Sequence, residues 1–188
     1  MPPITVTPYD FDWPRRFVEL RAPLWEAVRD VAVTIEHVGS TSVPGLAAKP
    51  IIDMTIVVAG RERVPAAIER LARLGYVHVG DRGIAGREAF DNPPGLPAHH
   101  LYLCPQNSAA LANHLIVRDY LRTHADVARE YAALKLALAA RFPNDIDGYV
   151  AGKTDLIVRI LAERGMSEAE RTAIERANKQ PALGRDLK

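Results

Sequence analysis

The sequence predicts an α/β (α+β) protein: a mixed sheet with flanking helices, followed by a helical C-terminal half. Two patterns predict this. Short apolar runs with strand-like alternation fall before residue 105, whereas stripes at helical spacing dominate from Ser108 onward. Composition adds a third observation: 48% of the 188 residues are hydrophobic and 25% charged, which suits one soluble domain large enough to bury a proper core. A single unit over residues 1–188 is expected, mixed α/β over about 1–105 and helical over about 106–180.

The elements follow in order. Pro14 suits a first helical turn, Asp12 can accept from the free N–H groups there, and Phe17, Leu20, Leu24 and Val28 share a face. A helix is expected from about Pro14 to Asp30. Val31, Val33 and Ile35 then alternate as a strand. After a Gly-Ser turn, a short helical segment near Pro44–Ala48 leads to a strand Ile51–Val58. There Ile52, Met54, Ile56 and Val58 point to the core, and Asp53, Thr55 and Val57 point the other way. A helix over about Arg63–Leu74 carries the stripe Val64, Ala67, Leu71 and Leu74, with Gly75 as its stop. Strands Tyr76–Val79, Arg87–Asp91 and His99–Cys104 follow, the last two joined by the loop Asn92–Pro97. Helices are expected near 108–122, 125–141, 146–164 and 167–178. Ser167 and Glu170 open the last at capping-box spacing, and the tail Gln180–Lys188 is expected to fray.

Composition also excludes function classes. Lys plus Arg total 24 against 23 for Asp plus Glu, a net charge of +1, so no global basic field points to duplex nucleic acid. The single Cys104 excludes an internal disulfide and a Cys-rich zinc site, and its apolar strand reads as a core position. No apolar run approaches membrane-spanning length and the N-terminal segment lacks a signal-peptide pattern, so a cytoplasmic location is expected. Walker A, dinucleotide-fingerprint, His-Glu-x-x-His and Gly-x-Ser-x-Gly motifs do not occur.

The chemistry concentrates between Glu36 and Asp53. A Gly-, Ser- and Thr-bearing loop between two strands exposes N–H groups and hydroxyls, the donors of a phosphate cradle. Asp53, on the following strand, stands where a metal ion could bridge it to that phosphate. Lys49 precedes Pro50 and is extended, so its ammonium can lie against phosphate or simply in solvent. His37 can be a general base, a phosphate donor, or a hydrogen-bonded anchor for the loop.

The run HVGSTSVPGLAAKPIIDMTIVV, His37 to Val58, resembles the signature of the GrpB family, which is placed with the polymerase-β-type nucleotidyltransferase fold. His100–Leu103, Arg118–Arg122, Glu130–Lys135, Tyr149 and Lys153 agree with it, so the resemblance spans about Trp13 to Glu163. A related domain also occurs fused to dephospho-CoA kinase, which hints at nucleotide or coenzyme metabolism. The resemblance implies a nucleotide or other phosphate-bearing small molecule as ligand. Gly39, Ser40, Thr41 and Ser42 would cradle its phosphates, and Asp53 would hold Mg²⁺. The fold's second metal-binding acid corresponds to Thr55, and Asp91 is the nearest other acid. His37 or His100 would handle a proton, with Tyr102 on the face of His100.

The helical half adds further candidates. Arg118 and Arg122 share a helical face and could clamp a carboxylate or phosphate, or form a network with Asp119. Tyr131 with Lys135, and Tyr149 with Lys153, are pairs one turn apart that could line a cleft. His78, His114 and His124 are expected to be structural or surface residues. Three readings stay open: a nucleotidyltransferase-like enzyme, a non-catalytic nucleotide- or coenzyme-binding module of the same fold, or an interaction protein whose cleft is vestigial.

Overall fold

The computed structural model describes residues 3–179. Helix α1 (Trp13–Val28) leads into β1 (Ala32–Val38), a tight 3-10 turn (Ser40–Ser42) and β2 (Ile52–Val58). Then come α2 (Val64–Arg73), β3 (Val77–His78), β4 (Glu88–Asp91) and β5 (His99–Pro105). Four helices complete the chain: α3 (Ala109–Thr123), α4 (Ala125–Arg141), α5 (Ile146–Glu163) and α6 (Glu168–Lys179). The sheet has five strands in the order β1-β2-β5-β4-β3, with β2 and β5 parallel and every other pair antiparallel. The mixed sheet with flanking helices and the helical C-terminal half agree with the predicted fold class.

One face of the sheet carries the main core. Ile52, Met54, Ile56 and Val58 of β2 pack with Leu101 and Leu103 of β5 against Leu20 and Leu24 of α1 and Leu71 of α2. On the opposite face Val57 and Cys104 meet Ala110 and Leu111 of α3. A second cluster joins the halves: Val43 and Leu46, from the segment after the 3-10 turn, insert among Tyr120, Leu121, Tyr131, Leu156 and Ile160 of α3, α4 and α5. The segment between turn and β2 is thus the seat on which the helices rest. Cys104 is fully buried, and burial pushes its thiol up to about 11, which suits a core residue.

Several local expectations need correction. Asp12 makes no side-chain cap bond; its carboxylate accepts instead from Arg15 and Arg16, because two guanidinium partners outcompete the helix N–H groups. Val33 is 48% exposed, because a register shift between Ala32 and Thr34 breaks the alternation. Pro44–Ala48 is not helical: Ala48 bridges Thr7 in an antiparallel pairing, and the tight turn lies earlier, at Ser40–Ser42. Leu74 is 37% exposed as the C-cap of α2, with Gly75 beyond it at φ 87°. His124 lies between α3 and α4 rather than on a helix, its ring stacked on Tyr120 at 3.8 Å. At α6 the capping box is present: the Glu170 amide donates to Ser167 Oγ at 3.4 Å and the Ser167 amide to Glu170 Oε2 at 3.1 Å. The expectation for Gln180–Lys188 lies outside the described residues.

Candidate functional site

The site grows from the register of three strands. Val38, Asp53 and His100 form one row across β1, β2 and β5, and Glu36, Thr55 and Tyr102 form the next on the same face. A parallel β2–β5 pairing therefore brings two residues 47 apart in sequence side by side. His100 Nδ1 lies 2.7 Å from Asp53 Oδ1. Their side chains are 45% and 27% exposed, so this pair sits at an accessible edge. Burial pushes the Asp53 carboxyl up, but the hydrogen bond and charge of His100, with the charges of Lys49 and His114, outweigh it and hold the carboxyl below the usual range.

Gly39 ends β1 at φ 67°, the left-handed region that favours glycine. A Cβ there would stand 2.2 Å from Asp53 Oδ2, so the turn backbone lies directly against the carboxylate. The turn is braced from inside. Ser42 Oγ donates to the Gly39 carbonyl at 2.6 Å. Thr41 Oγ1 lies 3.3 Å from the Ile51 carbonyl and 3.0 Å from His37 Nε2. The His37 ring stacks on Phe17 at 4.6 Å, on the α1 side of the sheet and opposite to Asp53, and burial lowers it to about 4. This geometry is that of a loop anchor.

Two adjoining clefts open on the α3–α5 side, and Ser40 lines both. The smaller, about 60 Å³, is walled by Ser40, Thr41, Lys49, Asp53, His100, Lys135, Tyr149 and Lys153. The larger, about 140 Å³, lies between Gly39 and Ser40 on one side and Asn113, His114, Val117, Arg118, Leu121, Tyr131 and Ile157 on the other. Lys135 is only 2% exposed, donates to the Ala47 carbonyl, and lies 4.5 Å over the Tyr131 ring. Burial, helped by the charge of Lys153, lowers its ammonium to about 7. Lys49 and Lys153 flank the Tyr149 ring at 5.7 and 4.7 Å. The helical half thus supplies two lysines, one of them buried, and the strand-turn segment a third, around one carboxylate.

Other sequence candidates are placed differently. Ser42 lines neither cleft, because its hydroxyl is turned to the Gly39 carbonyl. Arg122 does not form an open clamp: Nε and Nη2 donate to the Ser42 carbonyl at 3.1 and 2.8 Å. Arg118 is held by Glu36 at 2.7 Å, by Asp119 at 2.7 Å and by the His37 carbonyl at 3.1 Å, and its side chain is 12% exposed. These guanidinium groups fasten α3 to the turn, the network reading rather than the clamp. Tyr102 lines neither cleft and lies under Arg87 at 4.6 Å. His99 faces the other way and bonds the Tyr76 hydroxyl at 2.9 Å, so of the adjacent pair only His100 serves the cleft.

His114, expected to be a structural or surface residue, lines the larger cleft and bonds β2. Its Nδ1 lies 3.0 Å from Thr55 Oγ1, and burial lowers it to about 4. The signal available in sequence was its position four residues before Arg118, which puts both on the α3 face that looks at β2. The donor set also bears on the implied Mg²⁺. Asp53 Oδ1 is taken by His100, and Oδ2 abuts Gly39. The second acid is Thr55, bonded to His114. Glu36, one row away, is ion-paired with Arg118, and Asp91 with Arg82 at 2.9 Å. Among the described residues no group of three or more His, Cys, Asp and Glu side chains is placed to hold a metal ion. This set does not fit a pair of Mg²⁺ ions clamped by several carboxylates.

Known proteins share this architecture. The chain is 41% identical over 149 residues to the UPF0157 protein YqkA of Bacillus subtilis, covering 79% of this chain and 43% of that protein. The chain thus spans less than half the length of that relative. It is 28% identical over 178 residues to a dephospho-CoA kinase of Mycolicibacterium paratuberculosis, covering 80% of this chain and 43% of the kinase. Among solved structures, the conserved protein GrpB from Enterococcus faecalis superimposes with a TM-score of 0.74 at 34% identity, covering 92% of this chain and 98% of that one. The GrpB protein family model matches residues 3–163, turn, strand rows and cleft-lining helices included, and the chain therefore belongs to the GrpB family.

Proposed function

We propose that the smaller cleft binds the phosphates of a nucleotide- or coenzyme-like small molecule. One observation carries this reading: Lys49, Lys135 and Lys153 converge with the Ser40–Thr41 turn on a single cleft that holds one carboxylate. Three lysines around one acid, two of them only partly buried, favour an anion, and the Gly39 turn brings backbone and the Ser40 hydroxyl to the same place. The adjoining larger cleft gives the rest of such a ligand room beside Asn113 and Val117. The relation to a dephospho-CoA kinase supports a coenzyme-type ligand as one member of the class to test.

Transfer chemistry is a second reading, and the His100–Asp53 pair favours it. An imidazole that donates Nδ1–H to the Asp53 carboxylate leaves Nε2 as the atom that would exchange a proton with an acceptor hydroxyl. Thermal unfolding with nucleoside triphosphates, coenzyme A and its precursors tests the binding reading. A ligand near 100 times its dissociation constant should add about 2.7 kcal/mol to the stability of the native chain, and Lys49→Met should shrink the shift. If no phosphate-bearing compound shifts the wild-type transition, the reading is wrong. Product formation that disappears in His100→Gln would then separate transferase from binding module.

A further inference from the structure

The site departs from a metal-clamped phosphate centre in a consistent direction. Each acid that could join Asp53 is replaced or neutralised: Thr55 stands in the neighbouring row, and Glu36 is bound by Arg118. Cations take the opposite course. Lys49, Lys135 and Lys153 line the cleft that holds Asp53. A divalent ion adjacent to them would meet like charge, whereas a polyphosphate would meet Lys49 on the strand-turn wall and Lys153 of α5 on the other, with the buried Lys135 of α4 beside it. Asp53 itself is already matched by His100 at 2.7 Å, with its other oxygen against the Gly39 backbone.

We infer that this chain grips an inorganic or nucleotide-borne polyphosphate without a divalent metal, with Lys49 and Lys153, backed by the buried Lys135, in the place that metal ions would fill. Asp53 then orients His100 and sets the floor of the cleft, and it opposes the ligand's charge instead of bridging to it. This inference rests on the phosphate-binding reading above and adds the means by which the phosphates are held.

The two metal regimes make opposite predictions for one substitution. Asp53→Asn keeps an acceptor for His100 and removes a negative charge. With metal-free binding the variant holds inorganic triphosphate as tightly as the wild type or more tightly; with metal-bridged binding it loses the ligand. Titration calorimetry of the whole chain with inorganic triphosphate, in EDTA and in magnesium chloride, reads this directly. The expected result is binding in EDTA, weakened by Mg²⁺ because the ion neutralises the ligand, and weakened about tenfold or more by Lys153→Met, one charge-assisted contact. Lys153→Arg should retain most of the affinity, which guards against a misfolded Met variant. Binding that requires Mg²⁺ and disappears in Asp53→Asn overturns the inference and leaves the phosphate reading standing. Absence of binding in both media overturns the two together.

Discussion

The two faces of β2 invite comparison, because one heptapeptide builds both. Ile52, Met54, Ile56 and Val58 are fully buried in the main core, while Asp53, Thr55 and Val57 alternate with them toward α3. The core face obtains its stability from area removed from water, which is indifferent to the exact partner. The other face depends on single pairings: Asp53 with His100, and Thr55 with His114. The same alternation thus yields a robust side and a specific side, and the candidate site lies on the specific one.

Substitutions can pull the two faces apart. The largest effect is expected on the core face: Ile56→Ala should lower stability by about 2–5 kcal/mol in chemical denaturation, through lost burial and a cavity, with ligand affinity retained by the molecules that remain folded. Next comes the turn. Gly39→Ala should cost about 1–3 kcal/mol, since alanine resists the left-handed backbone, and its Cβ would displace Asp53. Its signature is loss of the ligand-induced shift out of proportion to loss of stability. If Gly39→Ala keeps full ligand response, the close approach of turn and carboxylate is not what shapes the cleft.

The smallest effect concerns acid. His37 and His114 are both lowered to about 4 by burial, from an ordinary value of 6.5. The unfolded chain therefore binds more protons between those values, and stability should fall as pH drops from 6.5 through 4, on the order of 1 kcal/mol per pH unit for each ring. His114→Gln keeps a polar partner for Thr55 and should flatten this slope in melting curves recorded against pH. An unchanged slope would place the acid sensitivity elsewhere.

Much of the fold was legible in the sequence, and the reasons are local. The stripe Ala67 and Leu71 of α2, the alternation of β2 and the Ser167–Glu170 box each express a period or a spacing that the backbone imposes on its own. Errors fell where a nearby partner outcompeted a local preference, as at Asp12 with its two arginines and at Ala48 with Thr7. In the candidate site, Gly39, Asp53 and the lysines were legible as candidates, and the structure brings them to the walls of the two clefts. The roles of Ser42, Arg118 and Arg122 were not, because a hydroxyl or guanidinium reads the same whether it faces a ligand or a carbonyl.

By itself, the sequence determined most of the elements, the polar face of β2 and the Gly-Ser turn beside it, since these follow from side-chain period and from glycine's freedom in turns. Only the tertiary structure decided which polar groups meet. The parallel pairing of β2 with β5 sets His100 against Asp53, and the seating of Val43 and Leu46 among α3–α5 carries Lys135 and Lys153 over the same cleft. Those partners lie tens of residues apart, and no local rule links them: their meeting is fixed by which apolar surfaces bury one another.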